Sequence, residues 1–109
     1  MLDFYTIEDD LADPEYPEEY GEKLILIGQI SLAEHRDISI LFGRANLVLA
    51  FSFYEDVRIN SPQVNDLLKE AKGLATKYSG NGAGASFTKY LKILEIASRA
   101  EVGLISFCD

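Results

Sequence analysis

Few side chains in this sequence are of types that could carry a reaction. His35 is the only histidine and Cys108 the only cysteine. His35 stands between Glu34 and Arg36, where a turn would leave the imidazole in solvent without a fixed partner to activate it. Cys108 follows an apolar run, and a thiol in such surroundings behaves as a small hydrophobe whose pKa is raised rather than lowered. Neither residue is expected to be catalytic, and a single cysteine excludes an internal disulfide or a cysteine-rich zinc site.

Three other patterns invite a chemical reading. The stretch EDDLADPEYPEE supplies carboxylates, but a calcium loop begun at Asp9 or Asp10 puts Leu11 or Ala12 at the third ligand position and has no glycine at the sixth. The run SGNGAGAS at 79–86 precedes a helical pattern and so could offer backbone N–H groups to an anion. It lacks the lysine of a P-loop and follows a helix instead of a strand, so it reads as an interhelical connection. Adjacent carboxylates such as Glu18 and Glu19 lack the fixed separation that glycoside hydrolysis demands. No metal and no cofactor are expected.

Charge is distributed unevenly. Residues 1–23 hold nine acids against Lys23 alone, which accounts for the entire formal charge of -8, while nine acids and nine bases balance in the other 86 residues. A strongly negative end on a neutral body repels nucleic acid phosphates and anionic membrane and attracts basic surfaces. Tyr16 and Tyr20 are interleaved with these acids, and tyrosine offers apolar area and a hydroxyl at low rotamer cost. The candidate recognition residues are therefore Asp9, Asp10, Asp13, Glu15, Tyr16, Glu18, Glu19 and Tyr20, with the carboxylates steering a basic protein and the tyrosines holding it.

The elements that must position these residues follow from periodicity. Residues 2–7 (LDFYTI) are β-favouring, and residues 8–22, with two prolines and a glycine, form an acidic loop that covers the body or hangs free of it. The apolar run LILIGQISL at 24–32 reads as a central strand with a possible bulge at Gly28. Residues 33–43 admit two readings. Ser31 and Glu34 have the spacing of a capping box for a helix ending near Gly43, whereas Ile38, Ile40 and Phe42 keep the period of a strand. The alternation favours the strand. Residues 46–54 (NLVLAFSFY) alternate Leu47, Leu49, Phe51 and Phe53 with smaller or polar side chains and read as a further strand.

The second half is helical. Ser61 and Pro62 open a helix whose Val64, Leu67, Leu68, Ala71, Leu74 and Ala75 form one stripe through Tyr78. Ser86 caps a second, with a stripe of Phe87, Tyr90, Leu91, Leu94 and Ala97, ending near Glu101, and GLISFC closes as a last strand. The expected fold is a single α+β domain over 1–109, a mainly antiparallel sheet of four to five strands with two amphipathic helices on one face.

At 109 residues with 48% hydrophobic and 26% charged content, the chain has the composition of a globular domain, and no apolar run approaches the roughly 20 residues needed to span a bilayer. No secretory signal is visible, and the expected location is cytoplasmic. The functional class these features favour is a small acidic inhibitor or immunity-type protein that neutralises a basic partner, such as a nuclease toxin or nucleic-acid-binding protein, without contacting nucleic acid or membrane itself. The alternative is a non-catalytic small subunit or adaptor that assembles through its sheet edge or helix face.

Overall fold

The computed structural model describes residues 1–77 and 84–108. Its sheet has four antiparallel strands in the order β2-β1-β4-β3. These are β1 (Leu2–Ile7), β2 (Ile25–Ile30), β3 (Val57–Ile59) and β4 (Gly103–Cys108), joined by α1 (Leu32–Arg44), α2 (Ser61–Lys77), α3 (Gly84–Ala100) and a 3-10 helix at Pro17–Lys23. The α+β class and the antiparallel sheet are as expected, but the described residues include three α-helices where two were anticipated. The expected break at SGNGAGA and the end of the first helical stripe at Tyr78 lie largely outside the described residues.

Side-chain alternation divides the sheet into two faces. Leu2 and Phe4 of β1, Ile59 of β3 and Leu104 of β4 turn into the main core, where they meet Ile38 and Phe42 of α1, Val64 and Leu74 of α2, and Phe87, Ile93 and Leu94 of α3. Ile7, Ile105 and Phe107 turn the other way and form a smaller cluster with Leu24. Within the main core, Phe51 meets Phe4 edge to face at 4.9 Å and Tyr90 at 6.3 Å, which ties strand, loop and helix into one aromatic cluster.

Residues 33–43 are helical, contrary to the favoured strand. The capping box closes in both directions: Glu34 N–H donates to Ser31 Oγ at 3.2 Å, and Ser31 N–H donates to Glu34 Oε1 at 2.9 Å. Ile38, Leu41 and Phe42 then form a buried stripe, while Ile40, which a strand would have buried, is 57% exposed. Gly43 lies inside the helix. The C-cap is Ala45, and the left-handed residue after it is Asn46, at φ 58°, with Leu47 N–H on Phe42 O and Asn46 N–H on Gly43 O.

Residues 46–54 form no strand either. Phe51 is buried and Leu47, Leu49 and Phe53 are partly buried, so the alternation correctly identifies which side chains turn inward. The backbone has no ladder to join, because the Phe51 carbonyl is taken by the His35 ring and Asp56 Oδ1 accepts the Cys108 N–H at 3.0 Å, where β3 would otherwise continue along β4. Within the run 24–32 only Ile25–Ile30 is strand, with Leu32 already in α1, and it lies at the edge, not the centre, which β1 and β4 occupy.

Helix starts also shift, from Pro62 to Ser61 for α2 and from Phe87 to Gly84 for α3. Asn60 caps α2 by exchanging hydrogen bonds with Gln63, at 2.9 Å from Gln63 N–H and 2.8 Å from Asn60 N–H, so Ser61 is the first helical residue and not the cap. Ser86 sits within α3, where its hydroxyl donates to Asp37 Oδ2 at 3.1 Å and fastens α3 to α1.

Candidate functional site

The acidic segment begins where β1 ends and crosses the second face of the sheet. Its hold on the body comes from two residues far away in sequence. Ser61, opening α2, donates from its backbone N–H to Asp9 Oδ1 at 2.9 Å and from its hydroxyl to Asp9 Oδ2 at 2.6 Å. A carboxylate at this position also complements the positive end of the helix dipole. Arg58, projecting from β3 on the same side, pairs with Asp13 Oδ1 at 2.7 Å through Nη1 and donates through Nη2 to Glu8 O at 3.0 Å. Apolar contacts complete the seat: Leu11 and Tyr20 pack against Ile7, Leu24, Ile105 and Phe107.

Internal hydrogen bonds fix the outer part. The Tyr20 hydroxyl donates to Ala12 O at 2.8 Å, and Glu19 Oε2 accepts from Glu15 N–H at 2.7 Å across the start of the 3-10 helix. Gly21 adopts φ 55°, a left-handed conformation that glycine takes at little cost, and this kinks the 3-10 helix back toward β2.

The eight candidate residues therefore fall into two groups. Asp9, Asp13, Glu19 and Tyr20 are engaged in holding the segment in place. Asp10, Glu15 and Glu18 are exposed, and Tyr16 beside them is 54% exposed. The structure places all eight on one continuous segment, but it separates anchoring from presentation in a way that residue type alone does not. Arg58 and Ser61 are the participants that sequence reasoning missed; their partners lie about 45 to 52 positions away, beyond any local pattern.

His35 is not a turn residue. It lies in α1, half-buried, with Nε2 2.7 Å from Phe51 O and its ring 5.6 Å from that of Phe53. A carbonyl only accepts, so Nε2 carries a proton and clips the 46–54 loop to α1. Cys108 is partly buried, with Sγ 3.3 Å from Asp56 Oδ1. Among the described residues, no three His, Cys, Asp or Glu side chains converge as a metal site would require. No helix there is long and apolar enough to cross a membrane.

Two of the depressions among the described residues lie on the helical side. One lies between the end of α1 and the start of α3, lined by Asp37, Ile40, Arg44 and Ser86. The other, about 290 Å³, runs between β2 and α3, with Ile27 and Gly28 on one wall and Lys89, Lys92, Ile93 and Ile96 on the other. Comparison with protein-family models, with curated proteins and with solved structures finds no match for this chain.

Proposed function

We propose that this protein is a small, non-catalytic acidic binding protein of the inhibitor or immunity type, which covers the basic surface of a partner such as a nuclease toxin or nucleic-acid-binding protein. The observation that carries this reading is the placement of the charge. The segment holding all of the net charge is seated on the sheet by Asp9 and Asp13, so Asp10, Glu15, Glu18 and Tyr16 are presented on a pre-formed surface. Pre-organisation lowers the ordering cost of binding, and a fixed cluster of one sign accelerates encounter with the opposite sign. Cytoplasmic action on such a partner belongs to the same proposal.

Deleting residues 8–22 would uncover the Ile7, Leu24, Ile105 and Phe107 cluster, so charge reversal is the cleaner test. Affinity capture from the native source with the wild-type chain should retain a basic protein. The double variant Glu15→Lys, Glu18→Lys, at two presented carboxylates that do not anchor the segment, should associate with that protein about tenfold more slowly or worse at low salt, with a flatter salt dependence. Tyr16→Ala should act mainly on dissociation. Equal association rate and affinity for the reversed variant at low salt would remove the acidic face as the recognition surface.

A further inference from the structure

We infer that the outer edge of β2, together with the groove between β2 and α3, is a docking site for an extended segment of another protein that carries both apolar side chains and carboxylates. Among the described residues β2 has β1 on one side only, so its outward N–H and C=O groups form an unpaired ladder there. Edge strands are ordinarily blunted by lysine, proline or short length, yet β2 (ILIGQI) contains no charged residue and no proline and is as long as the central strands. The opposite edge, β3, has only three residues. On β2, Ile25 is 59% and Leu26 48% exposed.

The groove beside this edge supplies side-chain selectivity. Gly28 has no side chain, and a Cβ there would lie 2.6 Å from Ile93 Cδ1, so the floor is formed by Ile93 itself. Ile27, which the register shift between Phe4 and Tyr5 leaves without a β1 partner, and Ile96 extend the apolar lining. Lys89 and Lys92 stand over it, and among the described residues no carboxylate lines the groove. Lys89 holds Glu34 at 2.7 Å, while Lys92 makes no ion pair among the described residues. A strand laid along β2 would continue the ladder, cover the exposed Ile96, and bring carboxylates to the lysines, the mode of recognition in which backbone bonds give affinity and alternate side chains give specificity.

A second copy of this chain is a poorer occupant. Antiparallel pairing of two β2 edges about a two-fold axis would bring two sets of Lys89 and Lys92 to one seam and join two chains of formal charge -8.

The isotopically labelled full chain should be titrated with two short synthetic peptides, one alternating valine with glutamate and the other valine with lysine, and followed by amide chemical shifts. The glutamate peptide should move the signals of Ile25–Ile30 and of α3 around Lys92. Lys92→Glu should weaken that binding by about tenfold or more, and Ile25→Lys, at an exposed edge position, should also reduce it. The Glu15→Lys, Glu18→Lys variant should still bind the peptide at β2, which separates this site from the acidic face. Shifts confined to other elements, equal binding of the two peptides, or failure of the glutamate peptide to bind would overturn the inference. Concentration-dependent broadening of β2 signals in the chain alone would replace the peptide with a second copy.

Discussion

Tyr90 carries the one buried side-chain polar atom, among the described residues, that has no hydrogen-bond partner. Its hydroxyl is enclosed by a core that includes Phe42, Phe51 and Phe87, and burial, reinforced by the Glu70 carboxylate, pushes its pKa far above the usual phenol range. Leaving a donor desolvated and unpaired costs about 1–3 kcal/mol, so Tyr90→Phe should leave stability unchanged or raise it by about 1 kcal/mol in denaturant unfolding. Glu34 is a second residue whose protonation is tied to folding. Its hydrogen-bonded contact with Lys89, then the Ser31 backbone N–H, hold its pKa below the ordinary value of 4.5. The stabilisation is present above about that value and is lost as pH falls through the lower folded value. Glu34→Gln keeps a capping side chain but loses the ion pair, and should flatten the fall in thermal midpoint below pH 4.5. Sequence made Glu34 visible as a capping residue through its spacing from Ser31; Lys89, its partner across the fold, could not be read from any local pattern.

At the level of elements, the helices of the second half were the most legible because their stripes repeat over many turns. Val64, Ala71 and Leu74 of α2 are buried as expected, although Leu67, Leu68 and Ala75 are only partly covered. Ile93 was left out of the expected stripe on α3, although it follows Tyr90 and precedes Ala97 at helical spacing, and it is buried against the bare backbone of Gly28. The two misread segments share a cause: period-two alternation marks inward-facing side chains but carries no information on where the backbone hydrogen bonds go. At 33–43 the capping box settled the competition, and at 46–54 side chains of His35 and Asp56 took up the groups that a strand would have used. Gly103 shows how closely two elements meet. A Cβ there would strike the Ile59 carbonyl and lie 3.0 Å from Asp9 Oδ1. Gly103→Ala should therefore cost about 1–3 kcal/mol. Displacement of Asp9 should also raise amide hydrogen exchange through residues 8–22 more than in α2 or α3.

For the molecule as a whole, the fold class was legible because strands precede two strong helical patterns and a strand closes the order. The acidic segment was legible as a unit, yet its attachment was not, since Arg58 and Ser61 find Asp13 and Asp9 only after β1, β3 and α2 have assembled. Its charge thus sits outside a face that is itself covered by Leu11 and Tyr20. The position of β1 at the centre of the sheet also governs how the chain is made. Leu2 pairs with Cys108 and Ile7 with Gly103, so β1 completes its pairing only after β4, far behind it in the order of synthesis, has been translated. One side of β1 can pair with β2 early, but at roughly 5–20 residues per second the other side stays open for on the order of ten seconds while the intervening chain leaves the ribosome. During that interval the nascent chain displays an apolar strand edge that only its own distal residues can close, and any factor that attends its synthesis must guard that edge.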